Sequence, residues 1–208
     1  MDRPDDAPIR DERGLRTLFA EPSDLVRRKQ LDRLDRHCRN FIAHSPLLVI
    51  GSTRPGKGTD VSPRGDTPGF VQVIDDRTLA IPDRPGNNRI DTLSNLVHAP
   101  EVGLIFFIPG IDETLRVNGI ARVSRDEALL AKAEVQGKRP KVAIVVDVRE
   151  AFLHCGKALK RARLWGGDYR QDPKAFPSLG RMIADQVGGV SVEKAEAAVE
   201  ESYKKRLY

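Results

Sequence analysis

Between positions 47 and 82 the chain reads as short apolar or alternating runs separated by turn-forming residues, and this spacing constrains the fold more than any other feature. Residues 47–51 are a short apolar run. Residues 53–60, TRPGKGTD, form a turn rich in Gly and Pro. Residues 60–66 and 70–74 follow, divided by Thr67-Pro68-Gly69, and residues 78–82 come after the tight Asp75-Asp76-Arg77 connection. Short strands with a turn signal at every junction predict an antiparallel barrel or sandwich. Later segments extend the pattern. Residues 102–108 are continuously apolar, as expected of a central strand buried on both faces. Leu115, Val117, Gly119 and Ala121 alternate with Arg116, Asn118, Ile120 and Arg122, which gives a strand with unlike faces. Residues 141–149, β-branched and apolar, read as the last long strand.

Helical spacing appears around this core. Residues 23–44 predict a helix with Leu31, Leu34, Cys38, Phe41 and Ile42 on one face, and Pro46 ends it. Residues 89–97 predict a second, presenting Ile90, Leu93 and Val97 and stopped by Pro100. Ser124 and Glu127 form a capping box for a short third. Residues 151–165 predict a helix with Phe152, Cys155 and Leu159 on one side; residues 178–187 and 192–207 predict two more. The organisation expected is an N-terminal arm over 1–22, a barrel domain over 23–165 and a C-terminal helical extension over 166–208.

Composition narrows the function classes. Lys plus Arg is 35 against 30 for Asp plus Glu, a net charge of +5, with the two signs mixed along the chain. Such a surface favours small anionic ligands as readily as nucleic acid. Aromatic content of 5% is too low for a base-stacking platform. No nucleic-acid or membrane partner is expected, since no apolar run approaches the ~20 residues of a membrane helix. The charged first residues are unlike a signal peptide, and the expected location is cytoplasmic. Cys38 and Cys155 each fall on the apolar stripe of a predicted helix and read as reduced, buried thiols. His37, His44, His98 and His154 have no metal-ligand spacing, so no metal is expected, and no catalytic acid or base is identifiable.

One short stretch carries ligand chemistry. Gly86-Asn87-Asn88-Arg89 leads into the predicted helix at 89. Asn88 is a good N-cap residue, with Asp91 three positions later. A helix start offers free backbone N–H groups, and Arg89 adds a donor fork suited to phosphate. A single arginine is most often a surface charge; position is what raises this one. Arg64 adds a second charge if its strand runs alongside. Pro63 and Gly65 interrupt a strand pattern, which predicts a bulge with Asp60, Ser62, Arg64 and Asp66 projecting from one edge. Gly56-Lys57-Gly58 lacks the spacing of a phosphate loop and precedes a strand, so it reads as a hairpin turn.

In this order, the stretches SPRGD, NNRIDTLSNL, VGLIFFIPG, ETLRVNGIARV and HCGKALKRARLW resemble the pyridoxamine 5'-phosphate oxidase-like FMN-binding split barrels. The resemblance implies a mainly β fold, an antiparallel split barrel with flanking helices. It implies bound FMN, a homodimer with cofactor sites at the interface, and oxidoreductase activity on a small substrate. The alternative on the same barrel is a flavin- or deazaflavin-binding reductase or carrier without oxidase activity. By resemblance, Asn88 and Arg89 hold the phosphate where the family usually has Arg and Lys, one charge fewer, to be made up by Arg64 or by a basic residue from elsewhere. Ser62, Pro63, Arg64, Gly65 and Asp66 lie on the strand under the flavin ring, and Ile81 and Pro82 touch it. Thr114 falls near a family Gln that bonds the cofactor, with Arg116, two residues on, as the alternative. Trp165 with Arg163 or Arg161 matches the family's late Trp and Arg, which complete the site across the dimer. The spacing around that late Arg differs from the true pyridoxamine phosphate oxidases, which implies a sibling subfamily with its own substrate.

Overall fold

The computed structural model describes residues 8–208. They fall into two compact units, one reaching Gln30 and one spanning Leu31–Tyr208. Positions 1–7 of the expected N-terminal arm lie outside the described residues. The first unit holds two single-turn helices, α1 (Glu12–Arg16) and α2 (Asp24–Arg28), whose caps Asp11 and Ser23 accept from the amides of Gly14 and Val26.

The second unit opens with α3 (Arg36–His44), capped by Asp35 and burying Cys38, Phe41 and Ile42. It continues with β1 (Leu47–Arg54), β2 (Gly58–Gly65), β3 (Gln72–Val73), β4 (Thr78–Pro82), α4 (Asp91–Leu96), β5 (Glu101–Phe107), β6 (Thr114–Ser124), α5 (Glu127–Lys132) and β7 (Ala143–His154). Three helices complete it: α6 (Lys157–Ala162), α7 (Leu179–Val187) and α8 (Val192–Lys205). The strands form one sheet in the order β2-β1-β5-β6-β7-β4-β3, and every pairing is antiparallel.

Alternation along the strands makes the core. On β1, Leu48, Ile50 and Ser52 point inward, while Val49 and Gly51 point out. Leu104, Phe106, Leu115, Val117, Ile144 and Val146 join them inside. Each such side chain contributes about 1.5–3 kcal/mol on leaving water. The sheet curls until its two ends meet: Arg64 on β2 forms an ion pair at 2.5 Å with Asp83, just past β4. Side chains rather than a hydrogen-bonded ladder join those ends, so the barrel is split.

Several local expectations are corrected. The helix predicted over 23–44 is broken between α2 and α3. Leu31 instead bridges Ala151 on β7, and the Leu34 amide donates to the Asp76 carbonyl. The helix predicted from 151 begins at 157, because residues 151–154 pair with β6 as the end of β7. Cys155 is therefore exposed, whereas Cys38 is buried and desolvation pushes its thiol up to about 12. The α5 cap is Asp126, not Ser124. The bulge predicted at Pro63 and Gly65 is absent: β2 pairs with β1 without a break, and Pro63 is tolerated because β2 is an edge strand. The bulge lies between Asn118 and Gly119, where a Cβ on Gly119 would sit 2.4 Å from the Asp147 carbonyl oxygen.

Candidate functional site

The interior-facing residues of β2 and the 83–90 loop form one corner. Asp60, Ser62 and Arg64 alternate on the inner face of β2, opposite Ser52, Ile50 and Leu48 of β1. The loop leaves β4 at Pro82 and runs alongside. Arg64 and Asp83 pair at its start, with side chains 18% and 23% exposed. At its far end Arg89 is bonded to Asp91 at 2.7 Å; that bond and charge raise its pKa, and Asp60 on β2 adds to the effect. SPRGD and NNRID, distant in sequence, thus meet across one edge of the barrel. Helix α4 is anchored below by Asn95 Nδ2 donating to Ser52 Oγ (3.0 Å) and by Arg54 donating to Ser94 Oγ (2.8 Å).

The cap expected at Asn88 is not there. Asn88 has φ 60 and Ile90 has φ 53, and the helix starts one residue beyond Ile90, which makes no side-chain cap bond. Asn87 Oδ1 accepts from the Arg89 amide at 3.0 Å and holds the chain in this turn. A β-branched residue in the left-handed region costs roughly 1–2 kcal/mol and persists only where its surroundings impose it. With six residues, α4 has little dipole to offer, so the positive charge at this corner is that of the guanidinium groups.

Those charges are balanced. Arg64 faces Asp83, Arg89 faces Asp91, and Arg84 donates from Nε to Asp66 Oδ2 at 2.6 Å. Burial alone would raise the Asp66 pKa. The Thr67 amide, the Tyr208 hydroxyl and the Arg84 guanidinium outweigh it and hold the carboxyl below its usual range. One donor is unspent: Nε of Arg64 is buried and has no hydrogen-bond partner among the described residues. Such an orphan is costly, on the order of 1–3 kcal/mol, unless something fills it. An anionic ligand fits this corner on two counts. It would supply an acceptor for Arg64 Nε, and it would displace Asp91 from Arg89 at the cost of only an exposed pair, roughly 0–1 kcal/mol.

The opposite face of the sheet carries a second feature, an open trough of about 390 Å3. Its floor is the cross-strand pair Gly51 and Gly103, which leaves bare backbone between Val49, Val61 and Ile105. Arg116, Asn118 and His154 rim it. The Arg116 guanidinium lies 5.1 Å from the Phe152 ring centre, and Asn118 Nδ2 donates to Glu150 at 3.0 Å. Thr114, on the same face of β6, is only 2% exposed and lies opposite His154. Trp165 adjoins this end, with Nε1 donating to the Ile111 carbonyl at 2.9 Å, while Arg163 pairs with Asp168 and lies over Tyr169.

The residues singled out in the sequence therefore form two sets. Ser62, Arg64, Asp66, Pro82, Asn88 and Arg89 belong to the corner; Thr114, Arg116, Arg163 and Trp165 belong to the trough side. Ile81 is fully buried and packs in the core, while Pro63 and Gly65 turn to the outer face of β2. Sequence reading missed Asp83, Arg84 and Tyr208 in the corner and Asn118, Glu150 and His154 at the trough. Arg84 sat in a plain turn composition, and no local pattern marks Tyr208.

Residues 34–155 match the family model described as pyridoxamine 5'-phosphate oxidase. No curated protein matches the sequence significantly. Similar solved structures include HupZ of Group A Streptococcus, 17% identical, covering 57% of this chain and 92% of that one, with a TM-score of 0.48. General Stress Protein 26 of Bacillus anthracis is 13% identical, with 57% and 94% covered and a TM-score of 0.43. An FAD binding protein of Mycobacterium smegmatis is 19% identical, with 60% and 98% covered and a TM-score of 0.40. Among the described residues, no helix is long and apolar enough to cross a membrane.

Proposed function

The chain belongs to the pyridoxamine 5'-phosphate oxidase family, and on that premise we propose that it is an FMN-binding flavoprotein, an oxidoreductase acting on a small substrate other than pyridoxamine phosphate. The observation that carries the reading is the corner where β2 meets the 83–90 loop, with a buried Arg64 Nε that has no partner among the described residues. Arg64 and Arg89 bind the phosphate, and the turn through Asn87 and Asn88 brings Arg89 to the edge of β2. Ser62 and Pro82 line the approach of the ring. FMN, when bound, supplies two-electron chemistry that no side chain of the corner offers.

The trough side completes the site from a second copy. Thr114 and Arg116 face outward from β6, away from the inward-facing Arg64, so we propose that a site using both sets draws them from two chains. Arg116, steadied over Phe152, then donates to the polar edge of the ring, and the apolar floor around Gly51 and Gly103 excludes water. The functional unit proposed is a homodimer with two cofactor sites at its interface.

Arg89→Ala tests this reading. The side chain is 72% exposed, so the fold should be unaffected. Losing one charge-assisted phosphate contact is expected to weaken FMN binding about tenfold, read by flavin fluorescence quenching. Unchanged affinity removes Arg89 from the site. Sedimentation of the FMN-loaded protein should give a dimer; a fully loaded monomer contradicts the shared site.

A further inference from the structure

Tyr208 reaches back to the start of the 83–90 loop. Its hydroxyl donates to Asp66 Oδ1 at 2.8 Å, and its ring centre lies 5.4 Å from the Arg84 guanidinium carbon. Its carbonyl accepts from Lys138 Nζ at 3.0 Å. These partners come from three segments: the residue after β2, the loop after β4, and the turn between α5 and β7. Beneath Tyr208, the Asp66 side chain is 1% exposed. Arg84 adds a bond at 2.8 Å to the Ala133 carbonyl. The residue before it, Asp83, holds Arg64, and the Asp83 amide donates to Val142 at 3.0 Å. Tyr208 is thus the outer layer of a bridge that pins the loop's first residues to β2.

A bridge of this kind depends on the exclusion of water. An ion pair weakens severalfold between a low-dielectric surround and open solvent. Take Tyr208 away, and the Asp66 carboxylate loses one acceptor bond and gains hydration, as does Arg84. Tyr208 lies beyond the last helix, in a run of three residues outside any helix or strand, 206–208. It follows α8, which packs closely on α7, Gly180 lying against Glu196 so tightly that a Cβ would come within 2.5 Å of it.

We propose that residues 206–208 form a latch that holds the 83–90 loop closed on β2 while Tyr208 is seated between Asp66, Arg84 and Lys138, and frees the loop when Tyr208 leaves. Its consequence for ligand entry rests on the cofactor reading above; the latch itself does not.

Hydrogen exchange on the full chain tests it, comparing wild type with Tyr208→Ala and Tyr208→Phe. Exchange at the Asp83 amide, which is bonded to the Val142 carbonyl at the start of the loop, is expected to rise about tenfold in the alanine variant, the factor carried by one hydrogen bond to a charged group. The phenylalanine variant keeps the ring and should lie between. FMN release should accelerate in the same order. Equal exchange in all three proteins overturns the latch, as does a rise shared equally by the β5 and β6 amides, which marks global loosening. If wild type takes up no FMN but the loop still responds to Tyr208, the latch stands and the cofactor reading falls. If FMN binds and neither loop exchange nor release responds, the latch falls and the cofactor reading stands.

Discussion

Gly119→Ala is expected to destabilise the fold by about 3 kcal/mol, lowering Tm by roughly 10 °C in a chain of this size. An alanine Cβ here would lie 2.4 Å from the Asp147 carbonyl oxygen and 2.8 Å from Val146 Cγ1. The first of these is backbone in the longest ladder of the sheet, where β7 pairs with β6 on both sides of the bulge. Relief requires β7 to shift, and β7 also carries β4, whose end leads into the corner. Gly103→Ala is the control. Its Cβ would meet Asn118 Oδ1 at 3.3 Å, a side-chain atom able to give way, so the expected loss is below about 1 kcal/mol. Thermal unfolding of the two variants decides the matter. A fall of less than about 2 °C for Gly119→Ala contradicts the account of the bulge.

Arg64→Met is expected to weaken FMN binding by about 10–100-fold, because it removes a charged donor from a partly buried site. It also leaves Asp83 without its partner, so some loss of stability accompanies it. Asp83→Asn separates the two effects. That change keeps the guanidinium and releases it from its carboxylate, so FMN affinity should hold or rise while stability falls. Equal losses of affinity in the two variants would mean that Arg64 supports the corner without touching the ligand. Isothermal titration of each variant with FMN, alongside its unfolding curve, distinguishes these outcomes.

The strand pattern was legible where local chemistry and tertiary pairing agree. Thr78–Pro82 stands as read, because turn residues bound it on both sides and its neighbours demand an apolar run. Legibility failed where distant partners decide. Residues 151–154 precede a helix and contain no β-branched residue, yet pairing with Thr114–Val117 draws them into β7. The helix expected through residue 31 gives way for the same reason, since Leu31 is taken by Ala151. In the corner, motif order pointed to Arg64 and Arg89. Asp91 lies only two residues from Arg89, but Asp83 reaches Arg64 only once the sheet curls, and Tyr208 meets Asp66 across 142 positions of sequence. The register shift at Asn118/Gly119 had no local sign beyond a glycine in an alternating run, whereas Pro63 and Gly65, the more conspicuous signal, sit on an edge strand that tolerates them.

FMN binding as proposed depends on a phosphate gripped between β2 and the loop that carries Arg89. Titrating the wild-type protein with FMN and with riboflavin, which differ only in that phosphate, tests it most directly. FMN is predicted to bind about 100-fold more tightly or better, the effect of two charge-assisted contacts. Equal affinities for the two flavins, or uptake of neither, would contradict it.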